Sequence, residues 1–422
     1  MYRKISEELL AFLNASPSCF HAVKNMADTL ESKGFTKLCE EEKWTLAPGG
    51  SYFVTRNDSS IIAFTIPIGG ISSFRIMASH SDSPTFKVKE KTEITIENHY
   101  TRLNVERYGG MIYSSWLDRP LSVAGRIVIK DGDKFVTKLV NIDRDLLLIP
   151  NLAIHMNREV NSGYKYNPQK DLLPLYAASP AEGSFMELIA EAAGVRAEDI
   201  LGHDLFLYNR QQGTVWGANN EFISSAKLDD LQCAFASLQG FLQGKKEKHA
   251  AIHCVFDNEE VGSETKQGAA STFLKDTLAR ICEGLSMSHE DYLVAIAKSF
   301  LVSADNAHAV HPAHGDKADP TNRPYINKGI VIKYNGDQKY CTDAVSSAMF
   351  KDLCQVCGVP VQSFANRSDM AGGSTLGNIS TSQVALNSVD IGLPQLAMHS
   401  PYETGGIKDT ADLAQVAVAL FA

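Results

Sequence analysis

The sequence predicts an α/β protein: a mixed, mainly parallel sheet sandwiched by helices, interrupted by an inserted strand-rich domain. After Gly217, helical periodicity alternates with short buried apolar runs, the pattern of a parallel sheet covered on both faces. Between about Lys89 and Gln211 the pattern shifts to alternating strands with turns such as Asp131-Gly132-Asp133. Polar side chains able to bind a cation stand at the ends of apolar runs on both sides of that stretch. One domain, residues 1–88 and 212–422, is therefore expected to be discontinuous around an insertion, residues 89–211.

Residues 7–32 read as two short helices. Leu9, Leu10, Phe12 and Leu13 form one stripe, Ala22, Val23, Met26 and Leu30 the next, and Ser16-Pro17 separates them. Residues 61–66 and 74–77 read as a hairpin joined through Gly69-Gly70. In the insertion, 123–129 and 135–140 are expected strands and 184–193 a helix. Beyond it the expected order is helix 228–242, strand 250–256, helix 269–282, strands 300–304 and 329–333, helix 344–356, strand 359–364 and helix 410–421. The carboxyl ends of such strands meet at one edge of the sheet, where open α/β sheets place their sites.

At 422 residues with 44% apolar content, the chain is long enough for a large core plus an insertion. The formal charge of −9 and the lack of basic clusters argue against nucleic acid or an anionic membrane as partner. The first eight residues carry acids where a signal peptide needs an apolar core, and no apolar run approaches the roughly 20 residues of a membrane span, so a cytoplasmic address is expected. Eight scattered cysteines fit reduced thiols, and Cys354 and Cys357 read as one face of a helix.

The sharpest chemical signal is Asp257-Asn258-Glu259-Glu260-Val261-Gly262-Ser263, directly after the strand 250–256. Adjacent carboxylates at the end of a buried strand are costly unless one meets a cation while its neighbour handles protons. His80 ends another apolar run with Asp82 two residues on, an arrangement in which one ring nitrogen binds metal while the Asp orients the other. Asp229 opens a periodic helix, and Asp305 and His399 each follow an apolar run. An isolated Asp at a helix start commonly just complements the helix dipole. The whole set supplies one His and two carboxylates per metal with one carboxylate shared, which can hold two cations about 3.5–4 Å apart. Nitrogen and oxygen donors without thiolate suit zinc, cobalt or manganese.

With these residues in view, the chain resembles the aspartyl aminopeptidase family of dinuclear metallopeptidases nearly end to end. The strings that carry the resemblance are Ser79-His80-Ser81-Asp82-Ser83-Pro84, Tyr108-Gly109-Gly110, Trp116-Leu117-Asp118-Arg119 and Ile149 through His155. They continue with Leu228-Asp229-Asp230-Leu231, Asp257 to Ser263, Ser303 through Pro312, Gly372 through Gly377, and Leu396-Ala397-Met398-His399-Ser400. The resemblance implies a zinc-dependent exopeptidase fold whose insertion serves dimerisation. It implies two divalent metal ions, with zinc first and cobalt or manganese as alternatives. Asp229 would bridge them, His80 and Asp305 completing one site and Glu260 and His399 the other; Glu259 would be the general base, and Asp82 would orient His80. Lys333, Tyr340, Gly372 and Gly373 match substrate-contacting positions, and His155 matches a His that crosses a dimer interface. His308 and His311 read equally as supporting or interface residues. A homodimer assembling to a homododecamer is implied as well. One departure stands out: the family commonly has Gly-Arg-Leu-Asp-Asn where this chain has Ala226-Lys227-Leu228-Asp229-Asp230, which adds a carboxylate beside the bridging position.

The expected function is removal of N-terminal Asp or Glu from peptides with a free N-terminus. The alternatives are the same mechanism with a neutral or broad preference, and a metal-dependent deacylase of N-blocked amino acids. A non-catalytic scaffold would have lost a base or ligand, and this chain keeps Glu259 and all five metal-competent residues.

Overall fold

The computed structural model describes residues 2–422. Its centre is a nine-stranded sheet in the order Thr36–Leu38, Ser51–Arg56, Ser60–Thr65, Ala250–Phe256, Phe74–His80, Phe300–Ala304, Asn387–Gly392, Ile330–Tyr334, Val361–Ala365. The four strands from Ala250–Phe256 to Asn387–Gly392 are mutually parallel, so their carboxyl ends emerge together. Successive side chains of Ala250–Phe256 alternate between faces, as strand geometry requires. Ala251 and Val255 join the core under the helices Tyr2–Asn14, Leu228–Gln243, Ala344–Cys357 and Asp409–Leu420. Ile252 and Cys254 join the core under Phe273–Gly284, His289–Ala297 and Leu376–Gln383. The expected α/β class, with helices on both faces, is the one observed.

A separate six-stranded antiparallel sheet is built from strands between Thr85 and Asn209, in the order Lys134–Asn141, Leu121–Asp131, Ile200–Asn209, Thr85–Ile96, Tyr100–Tyr108, Leu175–Ala177. The helix Ser184–Ala193 packs on it through Phe185 and Ile189. A small third sheet pairs Phe222–Ser225 with Glu403–Gly406, tying the end of the chain to the segment that leads into Leu228.

The expected hairpin is wrong. Ser60–Thr65 and Phe74–His80 do not pair; Ala250–Phe256 lies between them, antiparallel to the first and parallel to the second. The chain between them therefore crosses over the width of one strand. The expected helix 269–282 begins only at Phe273, because Ser263 to Thr272 is turn. Elements not foreseen include the helices His289–Ala297 and Leu376–Gln383 and the sheet strands Thr36–Leu38, Ser51–Arg56 and Asn387–Gly392.

Candidate active site

Each metal-competent side chain is delivered by an element that ends where it is needed. His80 is the last residue of Phe74–His80 and is 1% exposed. Asp305 follows Phe300–Ala304, its N–H donating to the Ile391 carbonyl at 3.0 Å. After Ala250–Phe256 the chain turns at Asn258, in the left-handed region at φ 60°, into a short 3-10 turn carrying Glu259 and Glu260. Asp229 enters the helix Leu228–Gln243 behind the left-handed Lys227, with the non-helical torsions φ −81° and ψ 108° that turn it out of the helix. His399, at φ 67°, sits in the loop between Gln395 and Glu403.

Both imidazoles are held by the same device. His80 Nδ1 lies 3.1 Å from the Asp82 carbonyl and His399 Nδ1 lies 2.6 Å from the Gly110 carbonyl. With Nδ1–H engaged, Nε2 is the free position on both rings. His80 Nε2 faces Asp229 Oδ1 at 3.5 Å and Asp305 Oδ1 at 3.7 Å. His399 Nε2 faces the other Asp229 oxygen at 3.5 Å and Glu260 Oε2 at 3.4 Å. These gaps are longer than good N–H···O bonds, and Asp229 Oδ1 and Glu260 Oε1 have no hydrogen-bond partner. Acceptors left open in a buried acidic cluster, facing two ring nitrogens, call for a cation between them. The donor set is imidazole and carboxylate, so the residues fit a divalent metal such as zinc. Two potential ligand groups emerge, His80 with Asp229 and Glu260, and His80 with Asp230 and Asp305.

A layer of buried acids holds this arrangement. Asp82 accepts the backbone N–H of Glu259 at 3.1 Å, that of Glu260 at 3.2 Å and the Tyr108 hydroxyl at 2.7 Å. Its carboxylate also lies 3.3 Å from His80 Nδ1, so it orders both the imidazole and the Glu259-Glu260 turn. Asp230 accepts the backbone N–H of His80 at 3.1 Å. Glu403, which the sequence did not single out, accepts the N–H of Asp229 at 3.0 Å and of His399 at 2.8 Å. Its only sequence signal was an acid among small residues in Tyr402-Glu403-Thr404-Gly405-Gly406.

The electrostatics follow from burial and proximity. Burial pushes the Asp229 carboxyl up, but His399 and His80 more than offset it and hold it below the usual carboxylate range. Burial, with Asp305 and Asp82 nearby, lifts Glu259 to about 8. Burial and Asp229 lift Glu403 to about 8 as well. For His399, burial works downward and Asp229 upward, and the balance raises it to about 9.

Asp229, Glu259, Glu260, Asp305 and His399 open on a cavity of about 340 Å³. Lys333, 3% exposed, lines it with its Nζ 3.4 Å from Asp305 Oδ2 and 5.6 Å from the Tyr340 ring centroid. Tyr340, Gly373 and His308 line it too. Gly372 does not; a side chain there would collide with the Asn366 amide. His155 lies on an exposed loop outside this cavity, and His311 is likewise exposed and outside it.

Comparison with known proteins places the whole chain in one family. A family model described as aminopeptidase I zinc metalloprotease (M18) matches residues 12–421. A probable M18 family aminopeptidase 2 from Clostridium acetobutylicum is 48% identical over 414 residues, 96% of each chain. The protein of the same description from Pseudomonas aeruginosa is 42% identical, covering 100% of this chain and 99% of its own. Among solved structures, a cryo-EM structure of an Ape4 and Nbr1 complex matches with a TM-score of 0.96 at 36% identity, covering 100% of this chain and 86% of that one. A structure of the S. cerevisiae mApe1 dodecamer matches with a TM-score of 0.88 at 26% identity, covering 100% of this chain and 97% of that one.

Proposed function

Because the chain belongs to the M18 family of zinc metalloprotease aminopeptidases, we propose that it removes single residues from the free N-terminus of peptides, preferring Asp or Glu, with two divalent ions and Glu259 as general base. The observation that carries this reading is Asp229, its two oxygens each facing the Nε2 of a different imidazole. His80 and Asp305 would hold one ion and Glu260 and His399 the other, with Asp229 shared. When bound, divalent metal supplies Lewis acidity: it makes water acidic near neutral pH and polarises a carbonyl.

The chain's own residues account for the rest. The Glu259 side chain lines the cavity without a hydrogen-bond partner among the described residues, so its carboxylate is free to take a proton from the attacking water. The same carboxyl then returns that proton to the leaving amine. Asp82 keeps Glu259 at its post by holding the backbone on which it sits. Lys333 has three donors and only one long contact, to Asp305, which leaves N–H groups for a substrate carboxylate on the cavity wall. That supports a preference for acidic first residues.

His155 is read as an interface residue. It lies among exposed apolar side chains, Leu152 at 52%, Ile154 at 47% and Met156 at 73%, a patch that a second copy would bury. Assembly through such contacts to a dodecamer follows the relative of that description. The described residues include no helix long and apolar enough to cross a membrane, and the eight free cysteines accord with a reducing cytoplasm.

The reading is tested by incubating zinc-loaded protein with a peptide beginning Asp-Ala, free or acetylated at its N-terminus, and following products by mass spectrometry. Stepwise loss of one residue from the free peptide alone is expected. Attack on the acetylated peptide alone would establish the deacylase instead.

A further inference from the structure

The insertion reaches the catalytic residues through the segment 108–112. The strand Tyr100–Tyr108 of the six-stranded sheet leads into Gly109, at φ 77°, where a side chain would come 3.2 Å from the Glu260 Cβ. The Gly110 carbonyl holds His399 Nδ1 at 2.6 Å, and the Ile112 N–H donates to the His399 carbonyl at 3.1 Å.

Tyr108 opens this segment. Its ring packs edge-on against Phe206 of the same sheet, with centroids 5.5 Å apart, so the insertion fixes where it stands. Its hydroxyl donates to Asp82 Oδ2 at 2.7 Å and accepts from Asn258 Nδ2 at 2.8 Å. Those directions follow from chemistry: a carboxylate only accepts, an amide NH₂ only donates, and a phenol has one proton to give. Burial beside Asp82 and Asp257 raises the phenol further and keeps that proton in place.

Both partners govern the turn that carries Glu259. Asn258 is the left-handed residue at which the chain leaves Ala250–Phe256, and its Oδ1 accepts from Thr265 at 2.8 Å and from Gln267 at 2.7 Å. Asp82 receives the N–H groups of Glu259 and Glu260. One hydroxyl therefore joins the residue where the turn begins to the acid that holds the next two. Tyr108 does not line the catalytic cavity, so its effect on the reaction passes through Asp82 and Asn258.

We infer, on the peptidase reading in which Glu259 is the general base, that Tyr108 is a positioning residue for it. Through Asp82 and Asn258 it carries the placement of the inserted sheet to the turn on which the base sits.

The test compares wild type, Tyr108→Phe, Asp82→Asn and the double variant, all zinc-loaded, on an Asp-terminated amide. Tyr108→Phe keeps the ring and deletes the hydroxyl. It is expected to lower kcat roughly tenfold, with KM within about threefold and zinc content unchanged. Without substrate, the amides of 259–262 should exchange hydrogen faster than in wild type, read by mass spectrometry. The loss in the double variant should fall short of the product of the two single losses by at least about threefold, because the two residues act as one unit. A kcat within about twofold of wild type, a loss carried by KM, a full product of losses or unchanged exchange overturns the role. So does a fall in kcat matched by loss of zinc, which would place the effect on His80. If the wild type cleaves no amide, the peptidase reading fails, and the exchange of 259–262 alone decides whether Tyr108 holds the turn.

Discussion

Asparagine at position 82 would keep the shape of Asp82 and remove its charge. In the native protein that carboxylate accepts three hydrogen bonds of 2.7–3.2 Å, two of them from the backbone of the turn carrying Glu259 and Glu260, and lies 3.3 Å from His80 Nδ1. An amide has one acceptor oxygen, and its NH₂ would confront one of the N–H donors. Bonds to charged groups contribute about 1.5–3 kcal/mol each, and an orphaned buried donor costs about 1–3 kcal/mol. Losing one such bond in the active arrangement corresponds to roughly 10- to 100-fold, at 1.4 kcal/mol per tenfold. The same range holds when the orienting partner of a ligating His is removed. Asp82→Asn is therefore expected to lower kcat/KM on an Asp-terminated amide by roughly 10- to 100-fold and to weaken zinc retention against a competing chelator. Because the residue supports both His80 and the base-bearing turn, kcat should fall even at full zinc occupancy. A variant with kcat within about threefold of wild type and unchanged zinc affinity would refute the reasoning, since the turn would then hold without Asp82.

Glu259→Gln should keep both ions and lose roughly 10²- to 10⁴-fold in kcat, checked by elemental analysis beside steady-state rates; loss of metal would reverse the roles of Glu259 and Glu260. Lys333→Met should cut kcat/KM on Asp- and Glu-terminated substrates by roughly 10- to 100-fold while sparing Leu- and Ala-terminated ones, and an equal loss on all four would make Lys333 a support for Asp305. His399 titrates near 9 in the metal-free protein, against 6.5 for a free His, so binding of zinc to the neutral ring must expel its proton. Apparent zinc affinity, measured by chelator competition, should rise about tenfold per pH unit per proton displaced between roughly pH 6.5 and 9, and a flat profile would contradict this. The raised value also means that His399 stabilises the metal-free fold fully below about 6.5, a contribution lost as pH rises through about 9.

The strands Phe74–His80, Ala250–Phe256 and Phe300–Ala304 were readable because each is a mostly apolar run with a polar residue, His80, Asp257 or Asp305, at its carboxyl end. What escaped reading was long-range pairing. Gly69-Gly70 is a good local turn signal, yet Ser60–Thr65 pairs on one side with Ser51–Arg56 just before it and on the other with Ala250–Phe256 far along the chain, and no local pattern encodes that second choice. The strand Asn387–Gly392 was hidden by the polar Asn387, Ser388 and Asp390, although it is almost wholly buried in the middle of the sheet. Asp390 is tolerated there because it accepts the Thr375 hydroxyl at 2.8 Å. Glu403 was invisible for a related reason: its partners are backbone N–H groups of Asp229 and His399, and nothing in the local sequence announces a carboxylate bonded to distant backbone. His155 could be read only as a residue for a second chain, and a single chain leaves it exposed.

The most direct test of the central claim is a steady-state assay of zinc-loaded protein on paired Asp-terminated and Leu-terminated chromogenic amides, each with a chelator-treated control. The account predicts at least about tenfold higher kcat/KM on the Asp amide, abolished by the chelator and restored by zinc. Equal rates or a preference for Leu would contradict the acidic pocket built on Lys333, and activity that survives removal of metal would contradict the site built on Asp229.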